Sequence, residues 1–161
     1  MAVIQSAGWI IYYIDGKGTP RFLIIKRHAM SGKIEWVAPK GKIQKAESPQ
    51  QAAVREVSEE VWISPNMLVI ESKIWLTSLR SSAEVKWWMD KDVTYFLMHY
   101  HGEPANVRVQ PVEWYLWIFK WATLDEVLWL IYYKNMREIF TLAHSAIGQQ
   151  KVKKDFLDTI I

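Results

Sequence analysis

Glu56, Glu59 and Glu60 are the residues whose type and spacing point most directly to chemistry. On a helix, positions i, i+3 and i+4 fall on one side at about 100° per residue, so the three carboxylates share a face. Like charges held that close repel. A divalent cation relieves the repulsion, and hard carboxylate oxygens suit Mg2+ or Mn2+. A solvated acidic face is the alternative reading of three glutamates taken alone. The segment ahead of them weighs against it. Residues 15–45 carry eight basic side chains (Lys17, Arg21, Lys26, Arg27, Lys33, Lys40, Lys42 and Lys45) against Asp15 and Glu35, whereas residues 47–60 carry four acids against Arg55. A basic stretch feeding an acidic helix suits a phosphate chain bridged to protein by cations, with lysine or arginine on the remaining oxygens. A nucleic-acid surface would be basic throughout, so no nucleic-acid partner is expected.

The elements that must position these residues are legible in outline. Gly8 to Ile14 and Arg21 to Arg27 alternate in the manner of strands around Asp15-Gly16-Lys17-Gly18-Thr19-Pro20, which predicts a hairpin. At Ser48 the period changes. Ser48 can cap a helix, Pro49 suits its first position, and Gln51 completes a capping box, so a helix is expected to about Val61. Val54, Val57 and Val61 then face away from the glutamates, anchoring the helix while the carboxylates project into solvent or a cleft. Strands are expected near Leu68 to Leu79, Val93 to His101 and Val112 to Trp121, with loops at Arg80 to Asp92 and Gly102 to Pro111. Thr123 opens another helix, and Asn135 to Gln149 has helical spacing. The pattern predicts an α/β fold, a mixed sheet packed against helices.

Length and composition bound the rest. The 161 residues suit a single domain, 1–161, and the charge balance of 20 Lys and Arg against 17 Asp and Glu excludes a heavily charged or disordered chain. Apolar runs such as 127–133 fall far short of the roughly 18 residues of a membrane span, and no basic region leads into an apolar N-terminal stretch. With no cysteine there is no disulfide framework, thiolate nucleophile or Cys-ligated metal. A cytoplasmic protein is expected.

From Gly41 onward the residues are recognisable. Gly41, five residues, Glu47, seven residues, then Arg55-Glu56-Val57-Ser58-Glu59-Glu60-Val61-Trp62-Ile63 resembles the signature G-x5-E-x7-R-E-U-x-E-E-x-G-U of the Nudix hydrolases, where U is aliphatic. Every fixed position of this box, residues 41–63, matches except Trp62, which stands where the family has glycine. The resemblance implies an α/β/α sandwich with the box as a loop-helix-loop. It implies Glu56, Glu59 and Glu60 as ligands of Mg2+ or Mn2+, with the Gly41 carbonyl as a further ligand, and Arg55 paired with Glu47 to orient helix and loop. The reaction implied is attack of water on one phosphorus of a nucleoside diphosphate linked to another group. Glu59, Glu103 and Glu113 are candidates for the general base.

Three further segments narrow the resemblance. Glu35-Trp36-Val37-Ala38-Pro39-Lys40-Gly41, Lys91-Asp92-Val93-Thr94-Tyr95-Phe96-Leu97 and Lys120-Trp121-Ala122-Thr123-Leu124-Asp125-Glu126 with Tyr133-Lys134-Asn135-Met136-Arg137 are similar to patterns of the diadenosine tetraphosphate hydrolase subgroup. A dinucleoside polyphosphate substrate is implied, with Lys40, Lys91 and Arg27 on phosphates and Tyr95 stacked on the base. A nucleoside triphosphate pyrophosphatase and a catalytically weak nucleotide-binding module are the alternatives. Trp36 can stack or pack. His99 and His101 share a strand face and are read as part of a half-exposed strand. The protein is expected as a monomer or homodimer.

Ten tryptophans stand against seven glycines, about four glycines fewer than the average ~7% usage predicts. Trp62 sits near a helix C-terminus, where glycine adopts the left-handed conformation without steric cost. Trp9, one of Trp87 and Trp88, Trp117 and Trp129 also stand where relatives often carry a small residue. Several of these tryptophans read as glycines recoded from UGA codons, with core or interface aromatics as the alternative.

Overall fold

The computed structural model describes residues 4–29, 31–79, 91–110 and 115–160. The strands are β1 (Ile4–Ile14), β2 (Pro20–His28), β3 (Ile34–Val37), β4 (Lys40–Lys42), β5 (Leu68–Leu79), β6 (Lys91–Tyr100) and β7 (Tyr115–Ala122), and the helices are α1 (Pro49–Val61), α2 (Leu124–Leu130) and α3 (Lys134–Ile160). The strands form one mixed sheet in the order β3-β2-β1-β6-β5, with β4 also paired to β1 and β7 to β2. β1 and β6 run parallel through the centre, with Gly8 opposite Tyr95 and Tyr12 opposite His99.

Alternation along the central strands builds two cores. Ile10, Tyr12, Phe22, Ile24 and Leu97 point to one face, where Ile139, Phe140 and Ala143 of α3 cover them. Trp9, Ile11, Leu23 and Ile25 point to the other, where Ala53, Val57 and Val61 of α1 cover them. The result is the helix-sheet-helix sandwich expected from the sequence. The predicted hairpin is present, with β1 and β2 antiparallel and Tyr12 opposite Phe22. Its turn is held by Asp15, whose Oδ1 accepts the backbone N–H groups of Lys17 and Thr19, each at 2.9 Å. Those bonds, together with Arg21, hold the Asp15 carboxyl below its ordinary pKa.

Several expectations need adjustment. β1 begins at Ile4 rather than Gly8, and α3 continues to Ile160, well past Gln149. The strands β3 and β4 were not apparent from alternation, since four and three residues are too few to show a period. α1 occupies the expected span, and Ser48 closes the capping box with Gln51 in both directions.

Trp62 caps α1 in the left-handed region, at φ 52° and ψ 36°, with 65% of its surface exposed. An indole there has the steric cost of a β-carbon at positive φ without the compensation of burial. Trp129 on α2 is 88% exposed. Trp9 is the opposite case, fully buried in the α1-side core, so glycine there would open a large void. Trp87, Trp88 and the side chain of Trp117 lie outside the described residues. Replacing Trp62 with Gly is expected to stabilise the fold by about 1 kcal/mol, read as a higher thermal midpoint. An unchanged or lower midpoint would contradict the cap argument, and UGG codons at Trp62 and Trp129 in the native gene would end the recoding reading.

Candidate active site

The site is assembled where β4 crosses the start of β1 beneath α1. β4 pairs antiparallel with β1, setting Gly41 opposite Ala7 and Lys40 opposite Gly8. Gly41 then lies directly against the Glu56 side chain, and a β-carbon on residue 41 would overlap that carboxylate. Only glycine allows the strand and the acid to approach so closely.

Arg55 braces this arrangement. Its Nε and Nη2 donate to the two carboxylate oxygens of Glu47 at 2.8 and 3.1 Å, and Nη2 also donates to the Lys42 carbonyl at 3.0 Å. Glu47 additionally accepts the Gln44 backbone N–H at 2.9 Å. Its pKa is lowered, first by the Arg55 bonds and then by that N–H. Arg55 therefore ties the loop after β4 to the middle of α1. Its remaining nitrogen, Nη1, stands between Glu56 Oε1 at 2.8 Å and Glu59 Oε2 at 3.2 Å.

The three glutamates differ in environment. Glu59 is exposed, whereas Glu56 and Glu60 are buried. Of the expected alternatives, solvent or a cleft, solvent holds for Glu59 alone, and the helix geometry gives the reason. Positions 56 and 60 border the stripe of Ala53, Val57 and Val61 that packs on the sheet, so their side chains turn under the helix toward β1 and β4. Glu60 Oε2 accepts the indole N–H of Trp9 at 3.0 Å, and the Glu60 carbonyl accepts the Gln110 N–H at 2.8 Å. Burial raises the pKa of Glu56, and the Arg55 bonds offset that only in part. The Trp9 contact was missed in the sequence, because no local pattern links residues on β1 and α1 so far apart.

These donors fit a hard cation. Carboxylates of Glu56, Glu59 and Glu60 and the Gly41 carbonyl are all oxygen ligands, and a buried carboxylate needs positive charge beside it. Nη1 of Arg55 already supplies such a charge between two of them. As the side chains stand, no group of three His, Asp or Glu among the described residues is closed around a common ion position.

The remaining sequence candidates separate. Arg27 is engaged by Glu35 on β3, with Nη2 2.8 Å from Glu35 Oε1, so its guanidinium is committed to an ion pair. Lys40 lies on β4 beside Gly8. Lys91 begins β6, and its side chain, like Glu113, lies outside the described residues. Tyr95 is corrected from a base-stacking group to a core residue. It alternates with Val93 and Leu97 onto the α3-side face, is 1% exposed, and rests against Gly8. Its hydroxyl is buried with no hydrogen-bond partner among the described residues, and burial pushes its pKa up. Trp36 packs partly against that core, with Lys26 Nζ 5.3 Å from its ring centroid. Glu103 belongs to the turn after β6, where its carbonyl accepts the Tyr100 hydroxyl at 3.1 Å. It lies at the end of the central strands near Tyr100, whereas β4 meets β1 at Ser6 to Gly8.

A family model for the NUDIX domain matches residues 5–142. The chain belongs to the Nudix family. It is 29% identical over 124 residues to the asymmetrical bis(5'-nucleosyl)-tetraphosphatase of Sus scrofa, covering 76% of this chain and 78% of that protein. It is 33% identical over 103 residues to an RNA pyrophosphohydrolase of Rickettsia bellii, a match covering 60% of this chain and 63% of that protein. A C. elegans Ap4A hydrolase solved as a binary complex superposes with a TM-score of 0.71 at 25% identity, over 92% of this chain and 99% of that one. These similarities place the chain with the Nudix pyrophosphohydrolases, enzymes acting on phosphorus anhydrides, and near the Ap4A hydrolase subgroup.

The raised pKa of Glu56 has a sign that can be tested. A carboxyl whose pKa is higher folded than unfolded destabilises the fold when ionised, and the cost appears as pH rises through the folded value. In a chelator at pH 7, Glu56→Gln is therefore expected to raise the thermal midpoint, with the gain shrinking as pH falls toward the ordinary carboxylate range. Added Mg2+ should raise the midpoint of the wild type more than that of the variant. A variant less stable at every pH, or equal Mg2+ shifts, would contradict this reading.

Proposed function

We propose that the protein is a divalent-metal-dependent hydrolase of a nucleoside diphosphate linked to another moiety, with a dinucleoside polyphosphate of the diadenosine tetraphosphate type as its substrate. The observation that carries this reading is the buried carboxylate of Glu56 set against Gly41 and joined through Arg55 to both Glu47 and Glu59. The similarity to the Sus scrofa and C. elegans enzymes supports the substrate class.

In this reading Glu56, Glu59, Glu60 and the Gly41 carbonyl hold Mg2+ or Mn2+. A cation held there would lower the pKa of a coordinated water and offset charge on the phosphates. Glu47 holds Arg55, and Arg55 keeps α1 and the box loop in register. Trp9 fixes one oxygen of Glu60. Glu59, exposed to solvent beside Arg55 and Glu56, accepts the proton of the attacking water, and Glu113 is the alternative base. Lys40 and Lys91 contact phosphate oxygens as point charges. Arg27 reaches a phosphate only by sharing or giving up its ion pair with Glu35, a carboxylate that the Tyr133 hydroxyl also contacts. The setting is proposed to be cytoplasmic.

The similarity to RNA pyrophosphohydrolases favours a second reading, removal of pyrophosphate from a 5'-triphosphate end. Product identification separates the two. Diadenosine tetraphosphate with Mg2+ is expected to yield ATP and AMP, and Glu59→Gln and Glu60→Gln should each lower turnover on the order of 100-fold or more. Pyrophosphate released from triphosphorylated RNA with no cleavage of the dinucleotide would favour the second reading. Full turnover in both variants would overturn the site.

A further inference from the structure

A second group of ligand-type side chains stands at the opposite end of the central strands. His99 in β6 and His101 just beyond it are two residues apart, so both imidazoles lie on one side of the chain, with ring centroids 4.1 Å apart. Tyr12 stacks on His99 at 4.6 Å with the planes only 16° from parallel. From the neighbouring strand Glu71 sets Oε1 3.4 Å from His99 Nδ1, while its Oε2 accepts the Tyr12 hydroxyl at 2.7 Å. The rings open onto a cleft of about 640 Å³ that Asp15 and Glu103 also line.

We propose that His99 and His101 form a second cation site, for a borderline divalent metal of the zinc, nickel or copper class. The Glu71 carboxylate 3.4 Å from Nδ1 favours one orientation of His99, with Nε2 on the side of the ring away from it, the outer-sphere arrangement that orients metal-binding histidines. Glu71 is in turn held by Tyr12, so the orientation is anchored in the core rather than on a mobile surface chain. Imidazole favours these metals over magnesium, so saturating Mg2+ can occupy the α1 carboxylates while leaving the histidines to them. The two sites are also separated in space. β4 meets β1 at Ser6 to Gly8, and Tyr12 lies four residues further along, about 13 Å at a strand's rise. No third His, Asp or Glu among the described residues closes the set, so water or a ligand in the cleft completes the coordination.

The test is titration of the full chain with Ni2+ in saturating Mg2+, together with Cu2+ electron paramagnetic resonance. One ion is expected to bind per chain, with nitrogen hyperfine structure in the copper spectrum. His101 is exposed, so His101→Ala should leave the fold intact while weakening binding at least tenfold and removing the two-nitrogen signature. Glu71→Gln should weaken binding through the orientation of His99, and Glu59→Gln should leave it unchanged. Equal affinity in the wild type and His101→Ala would overturn the proposal, as would binding lost only in Glu59→Gln, which would put the ion at α1.

Discussion

Everything at the active site depends on one constraint: a carboxylate taken out of water must have positive charge or hydrogen-bond donors beside it. Glu56 is forced into that position by the packing of α1, and Gly41 leaves no room for anything larger than a hydrogen between them. Arg55 answers the constraint by bridging Glu56, Glu59 and Glu47. The same demand makes the site receptive to a divalent ion. Arg55 has a second anchor in Glu47, so it can release Glu56 and Glu59 to an ion without itself becoming unpaired.

The sheet converts this local chemistry into fixed geometry. β1 is the common element. Its Ala7 and Gly8 pair with β4, its Trp9 donates to Glu60, and its parallel partner β6 brings Tyr95 against Gly8. Two opposite demands meet on adjacent residues. Gly8 must be small because Tyr95, the Pro39 carbonyl and Lys40 all crowd it. Trp9, facing the other side, fills the space beneath α1 and satisfies a carboxylate there. A shift of one residue in the β1 register would reverse both faces.

How much of this was legible depended on whether the signal was local. The α1 helix was readable because Ser48, Pro49 and Gln51 announce its start and the valine spacing its buried side. The pairing of Arg55 with Glu47 followed from the family pattern rather than from any period. The burial of Glu56 and Glu60 was not legible, since it arises from the approach of β4, a strand too short to show alternation. Tyr95 could be core or ligand by sequence, and only its place between Val93 and Leu97 in the central strand decided for the core. Arg27 was read as a phosphate contact without its partner Glu35, which lies across a strand pair that the sequence did not reveal. The Trp9 contact and the His99, Glu71 and Tyr12 cluster are likewise products of strand order.

The most direct measurement is anomalous diffraction from crystals soaked in Mn2+. The account predicts a peak bounded by the Gly41 carbonyl and the carboxylates of Glu56, Glu59 and Glu60, with Arg55 withdrawn from Glu56 and Glu59 and still paired to Glu47. A structure in which Arg55 keeps both acids and manganese density lies away from α1 would contradict it.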